Sequence, residues 1–317
     1  MKNNLSNIKK SKFYLDRGEC VAIPTETVYG LAGNAYSDSA TLKIFKLKKR
    51  TKKNPLIVHY HSLKMLKNDC ITNNKFIKLY KKFCPGPLTF VLKLKKNSKI
   101  SKNVTNNKKT LAIRFPSHKL AKKLLKVLNY PLAAPSANIS TKISPVSKDD
   151  VKEEFGKKIK FILDGGRSKI GLESTIISLV NKPKILRLGG IEREKINKAL
   201  NKNLQYNDKE KNIVVPGQSK LHYSPGIPIK LNAKKIRYNE AFILIKKRKK
   251  TSKHYFYLSK NNNLKEAARN LYKILRLIKN KNYKNIAVEK IPNIGFGEAI
   301  NDRLKRASSW KQSKLKI

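Results

Sequence analysis

The chain has 317 residues, 39% of them apolar, and a formal net charge of +53, with 73 Lys and Arg against 20 Asp and Glu. That length accommodates two domains with real cores, and no run of about 18 apolar residues marks a membrane span. Cys20, Cys70 and Cys84 are too few and too scattered for a disulfide framework or a zinc site. The N-terminus lacks the apolar core of a signal peptide, so a cytoplasmic protein without membrane attachment is expected.

In chain order, residues 5–17 read as a basic amphipathic helix closed by Gly18, and residues 20–23 as a buried strand. Asp38 is expected to cap a helix running to about Lys49, with Leu42, Phe45 and Ile44 or Leu47 on its apolar side. A strand over 56–60 and helices around 62–68 and 74–83 follow. Pro85-Gly86-Pro87 is a rigid turn into a strand over 88–94, and residues 95–109 form a polar loop. A strand is expected over 111–115, a helix capped by Ser117 to about Leu128, and a strand over 132–135 ending at Ser136-Ala137-Asn138. Ser147, with Asp149 and Asp150 behind it, opens another helix. Strands over 161–164, 175–180 and 185–188 complete an irregular alternation, hence an α/β class with a mixed sheet.

Residues 201–230 carry little periodicity and contain Pro216-Gly217 and Pro225-Gly226, the marks of a linker. Beyond it come strands over 241–245, 255–258 and 286–289, a helix whose apolar positions run from Leu264 to Ile278, and a last helix over 297–308. These read as a small α/β domain of their own.

Several constellations could carry chemistry. Lys48, Lys49, Arg50, Lys52 and Lys53 precede Asn54-Pro55-Leu56, and clustered cations after a Pro-Thr-Glu-Thr turn suit a phosphate chain. Arg114, a lone charge at the end of an apolar strand, needs either a substrate carboxylate or one of the few acids as a partner. Ala134 to Asn138, with Ser144, allows close backbone approach to a ligand. Asp164-Gly165-Gly166 and Glu173-Ser174-Thr175 offer a tight bend, acceptors and hydroxyls, but match neither a P-loop nor a dinucleotide fingerprint. His59 and His61 could share a strand face, yet no third or fourth ligand is evident, so no protein metal site is expected. His222-Tyr223, an aromatic pair in a linker, could close over a pocket and stack on a base.

Taken together the blocks resemble the YrdC/Sua5 family in its two-domain Sua5 form. They are PTETVYGLAGNA (24–35), KLKKRTKKNPLIVH (46–59), PGPLTFVL (85–92), LAIRFP (111–116), PLAAPSANIS (131–140), ILDGG (162–166), ESTIISL (173–179) and ILRLGGI (185–191). HYSPGIP (222–228) and AINDRLKRAS (299–308) resemble the family's linker and the end of its C-terminal domain. The resemblance implies a YrdC-like catalytic domain over 1–200 built on an open, twisted mixed sheet with helices. It further implies a linker over 201–230 that reaches the active site and a small Rossmann-like α/β domain over 231–317.

The implied activity makes L-threonylcarbamoyl-adenylate and pyrophosphate from L-threonine, bicarbonate (or CO2) and ATP with Mg2+, for the threonylcarbamoyladenosine of tRNA. Carried over by motif, Lys48, Arg50, Ser136 and Asn138 are the catalytic candidates. Arg50, Asn54, Thr110, Ser136, Ser144, Arg187 and Tyr223 would bind ATP, and Thr27, His59, Arg114, Ala134 and Ser174 would bind threonine. The charge excess admits contact with tRNA, and the product implies contact with a threonylcarbamoyl-transferase complex. The rival is a non-catalytic module binding tRNA or double-stranded RNA through its basic surface. The charge itself is ambiguous, because lysines are spread over the whole chain as compositional drift would spread them.

Overall fold

Residues 2–206, 215–217 and 221–309 are described by a computed structural model, and their strands fall into two separate sheets. Helix α1 (Lys2–Asp16) leads into β1 (Val21–Ile23), β2 (Gly30–Asn34) and α2 (Asp38–Lys48). Next come β3 (Ile57–His59), α3 (Leu63–Asp69), β4 (Cys70–Ile71), α4 (Asn74–Phe83) and β5 (Leu88–Leu94). Then follow α5 (Lys102–Thr105), β6 (Thr110–Arg114), α6 (Lys119–Val127), β7 (Leu132–Ala133) and α7 (Lys148–Phe155). β8 (Phe161–Ile162), β9 (Thr175–Ser178), β10 (Lys184–Arg187) and α8 (Arg193–Leu200) end this part.

The large sheet has the order β10-β9-β5-β6-β3-β7-β2-β1-β8, with β4 added beside β5. It is mixed: β3 runs parallel to β6 and β5 to β9, whereas β7 is antiparallel to both β2 and β3. Its central strands are apolar on both faces: Val58, Phe90 and Ile113 are fully buried on one, and Ile57, Val91 and Ala112 are buried on the other. The second sheet holds β11 (Ile229–Lys230), β12 (Ala241–Leu244), β13 (Tyr255–Tyr257) and β14 (Ile286–Val288) in the order β11-β14-β12-β13, all parallel. Helices α9 (Leu264–Asn280) and α10 (Phe296–Ser308) cover it. No described helix is long and apolar enough to cross a membrane.

Several local expectations need correcting. Ser37, not Asp38, caps α2: its side chain accepts from the Ala40 amide. The buried stripe of α2 runs through Thr41, Ile44, Phe45 and Lys48, and Leu42, off that stripe, is exposed. His118, not Ser117, caps α6: its ring accepts from the Leu120 amide, while the Ser117 amide donates to the Glu26 carboxylate. β2 is a strand that propensity does not reveal, since Gly-Leu-Ala-Gly-Asn contains no β-branched or aromatic residue. Gly33 is there for space: a Cβ would stand 3.2 Å from Cδ1 of Ile44 on α2. The polar stretch 95–109 contains the short helix α5, and α8 lies where no helix was read. The stretch expected to be linker ends in β11, which pairs with β14. Its residues 207–214 and 218–220 lie outside the described residues.

Candidate functional site

The parallel register of β3 and β6 sets His59 beside Arg114, and antiparallel β7 brings Leu132 to the other side of His59. The chain leaving β7 turns at Ala134 and makes an isolated bridge from Ser136 to Gly30 at the start of β2. Glu173 and Ser174 lie just before β9, and Arg187 ends β10. These strand ends meet around one cavity of about 40 Å³, room for a few waters. Thr27, His59, Arg114, Ala134 and Ser174 line it, and so do Arg50, Ser136, Arg187 and Tyr223. Nine of the candidate residues thus converge from seven separate blocks of sequence.

At one end lies Arg114, buried, with its guanidinium 2.6 Å from the Glu26 carboxylate and 2.8 Å from the Thr27 hydroxyl. The lone strand-end charge therefore has an acidic partner within the chain and still faces the cavity. Neither ring nitrogen of His59 has a hydrogen-bond partner among the described residues. Burial, with the Arg114 guanidinium beside it, pushes the His59 pKa down to about 3, so the ring is neutral. Thr89 and Ser174 share a 2.7 Å hydroxyl contact that fixes Ser174 at the wall. The result is a compact set of hydroxyl, imidazole and guanidinium groups.

The other end is cationic. Arg50 donates to the backbone carbonyls of Asn54 and Pro55, which hold its plane but do not neutralise its charge. Its pKa is pushed down to about 9, by burial first and then by the Arg187 guanidinium. Arg187 is held by the carbonyls of Ser174 and Pro216, and burial lowers its pKa too. Two guanidiniums facing one enclosed space repel one another, and an anion between them relieves that repulsion. His222, buried and surrounded by Arg50, Lys48, Arg303 and Arg187, is held neutral by burial and these cations.

Five candidates do not line the cavity: Lys48, Asn138, Asn54, Thr110 and Ser144. Lys48 is fully buried behind the wall, and its ammonium donates to the carbonyls of Ser136 and Asn138. Burial, then the neighbouring Arg50, lowers its pKa well below the usual lysine range. Asn138 donates in turn to the carbonyls of Ile139 and Lys142, so Lys48 and Asn138 shape the 136–142 turn from within. Asn54 supplies the carbonyl under Arg50. Ser144 helps lower the pKa of Glu173, and Thr110 begins β6 opposite Lys93.

Pro216, Gly217, His222 and Tyr223 roof the cavity. Gly217, with φ +90°, sits where a Cβ would come within 2.5 Å of the Tyr223 hydroxyl. The space beneath has room for a few waters, so these residues bound the ligand space on that side. Sequence reasoning gave no partner to two carboxylates, Glu173 in the lining and Glu26 behind it. Glu26, in plain view between Thr25 and Thr27, partners Arg114; Glu173 accepts from Tyr272 and Arg303 on the distant helices α9 and α10. Burial raises the Glu173 pKa, but the guanidiniums of Arg303 and Arg187 outweigh it and hold the carboxyl below its usual range.

Comparison with known proteins agrees with this geometry. A family profile described as "Telomere recombination" matches residues 14–189, and one described as "Threonylcarbamoyl-AMP synthase, C-terminal domain" matches residues 191–309. The threonylcarbamoyl-AMP synthase of Pyrococcus abyssi is 35% identical over 95% of this chain and 94% of its own length. The chain belongs to the Sua5 family of threonylcarbamoyl-AMP synthases. The Bacillus subtilis threonylcarbamoyl-AMP synthase is 33% identical over 98% of this chain and 95% of its own length. The crystal structure of P. abyssi Sua5 complexed with L-threonine superposes with a TM-score of 0.87 at 33% identity, covering 96% of this chain and 94% of that one. Sua5 architecture thus extends over both sheets.

Proposed function

We propose that this Sua5-family chain condenses L-threonine, bicarbonate (or CO2) and ATP into L-threonylcarbamoyl-adenylate and pyrophosphate, as a cytoplasmic enzyme of tRNA modification. One observation carries the reading: a single cavity has a small hydroxyl-imidazole-guanidinium end and a second end with two guanidiniums, Arg50 held by carbonyls and Arg187 by carbonyls and the Ser174 hydroxyl. Thr27, His59, Arg114, Ala134 and Ser174 suit an amino acid, with Arg114 meeting its carboxylate. Arg50, Arg187, Ser136 and Tyr223 suit the nucleotide, and Asn54, Thr110 and Ser144 would join them. Lys48 and Asn138 would act by shaping the turn that presents Ser136.

In this reading the threonine amine takes up CO2 as a carbamate. A carbamate oxygen then attacks the α-phosphorus of ATP in line, and pyrophosphate departs carrying the displaced charge. The protein supplies position and a fixed positive field, and no side chain need form a covalent intermediate. Glu26 and Glu173 are each engaged by a guanidinium. Mg2+ is therefore assigned to the ATP phosphates rather than to a protein site. Residues 1–200 would form the catalytic unit, 201–230 the linker, and 231–317 the second unit, which recruits Ile229-Lys230 into its sheet. Contacts with tRNA and with the transferase complex that consumes the adenylate would use the basic surface.

The test is pyrophosphate release from ATP in the presence of bicarbonate, with and without threonine. Threonine-dependent release is expected, and serine should support it less well by about 1–3 kcal/mol in kcat/KM, the worth of one methyl contact. RNA binding without threonine-dependent release would leave the non-catalytic reading instead.

A further inference from the structure

The amino-acid end of the cavity is backed by a carboxylate that an anion-binding site does not need for its charge. Glu26 and Arg114 form a buried pair at 2.6 Å, in a chain with only 20 acids. A buried ion pair is often worth no more to a fold than packed apolar groups, because both charges lose their water. Stability alone therefore gives little reason for an acid here. For amino-acid binding its charge is a disadvantage, since Glu26 shares one guanidinium with the substrate carboxylate and repels it.

What Glu26 supplies is geometry. A guanidinium has five N–H donors in one plane. The Gly86 carbonyl accepts the Nε hydrogen at 3.3 Å, the Thr27 hydroxyl accepts one Nη1 hydrogen at 2.8 Å, and Glu26 accepts one Nη2 hydrogen. One hydrogen on each terminal nitrogen is thus left without a partner among the described residues, and Arg114 lines the cavity while Glu26 does not. A carboxylate accepts such a pair bidentately when the plane is held still. Glu26 is itself fixed: its other carboxylate oxygen accepts from the Ser117 amide at 3.0 Å, and its backbone carbonyl accepts from the Ile170 amide. The Thr25 hydroxyl accepts from the amides of Thr27 and Val28 and donates to the Val28 carbonyl. It closes the turn from which Glu26 and Thr27, neighbours in sequence, both reach the same guanidinium.

We propose that Glu26 is a positioning residue: it sets the plane of Arg114 so that two N–H groups meet the substrate carboxylate, and this alignment outweighs the repulsion that its own charge adds. This rests on the function proposed above. The consequence is selectivity for a free α-carboxylate, because only an aligned fork distinguishes a carboxylate from a neutral group of the same shape.

The experiment uses the full chain and compares L-threonine with L-threoninamide in pyrophosphate release from ATP with bicarbonate. The carboxamide has one acceptor oxygen and no charge, so it cannot take the bidentate pair. The quantity read is the ratio of the two kcat/KM values, which should favour threonine in wild-type protein. Glu26→Ala frees the guanidinium and should lower that ratio about tenfold or more, with the KM for ATP within about twofold of wild type. Glu26→Gln keeps one acceptor but loses the charge-assisted bond, and should lower the ratio about threefold; it carries the test where the alanine variant folds poorly. A merely structural role slows both substrates alike and leaves the ratio unchanged. A role as counter-charge raises the ratio, because a repulsion has been removed. Either result in a folded variant, with wild-type protein active, overturns the positioning role alone. Active wild-type protein that uses both substrates equally takes Arg114 away from the carboxylate and the role of Glu26 with it. Wild-type protein without threonine-dependent release overturns this role and the proposed function together.

Discussion

His59 shows how a single side chain couples the site to stability. It is buried, flanked by Arg114, and its pKa falls to about 3 from an unfolded value near 6.5. Between those values the unfolded chain binds a proton that the folded chain refuses, so stability rises with pH through that window and is lost as pH falls below about 6.5. The contribution is about 1.4 kcal/mol per pH unit while the unfolded imidazole is protonated. Carboxylates and His222 add slopes of their own, so the informative quantity is a difference between proteins. Urea unfolding of wild type and His59→Asn at pH 7 and pH 5 should show a pH dependence shallower by about 2 kcal/mol in the variant. Equal slopes would mean that the native imidazole is protonated, and the neutral ring assigned to the amino-acid end would fall with it.

At the scale of elements, Lys48 and Arg50 are two residues apart at the end of α2 but do different work. Lys48 points back into the protein and ties the helix end to the carbonyls of Ser136 and Asn138; Arg50 faces the cavity. Lys48→Met should therefore destabilise the fold by about 2 kcal/mol, since a charge-assisted staple is lost and a buried carbonyl is left without its donor. Arg50→Ala removes one of two mutually repelling guanidiniums, so it should leave urea stability nearly unchanged while lowering pyrophosphate release by about 100-fold or more. Loss of stability in both variants alike would refute this division. Sequence alone assigned both residues to phosphate, because spacing reveals that two cations are neighbours and not which way each one points.

The same limit explains what was legible. The helix start at Ser147, where Ser147 and Asp150 satisfy each other's backbone groups, and the strand after Pro85-Gly86-Pro87 are legible in the sequence, because local chemistry decides them. β2 was missed because its glycines serve packing against α2 rather than strand propensity. Within the site, the residues at strand ends could be read from their motifs. Glu26 was passed over beside Arg114, and the hold of Tyr272 and Arg303 on Glu173 depends on contacts more than 90 residues apart in the chain.

For the whole molecule the governing quantity is the charge of +53. With only 20 acids, the chain spends several of them between its two sheets: Arg276 on α9 meets Asp150, Glu153 and Glu154 of α7, Arg193 meets Glu298, and Arg303 meets Glu173. The Arg303–Glu173 and Arg276–Glu154 pairs are buried and hence weakly screened, whereas the surplus lysines stand mostly in solvent at distances that salt screens well. Added salt therefore removes more repulsion than attraction. The melting temperature should rise by several degrees between about 0.05 and 0.5 M KCl, opposite to the response of a protein stabilised by surface ion pairs. Differential scanning fluorimetry over that range checks the sign. A falling melting temperature would mean that the acid-mediated contacts between the sheets outweigh the repulsion of the whole, and that the C-terminal part is released as ionic strength rises.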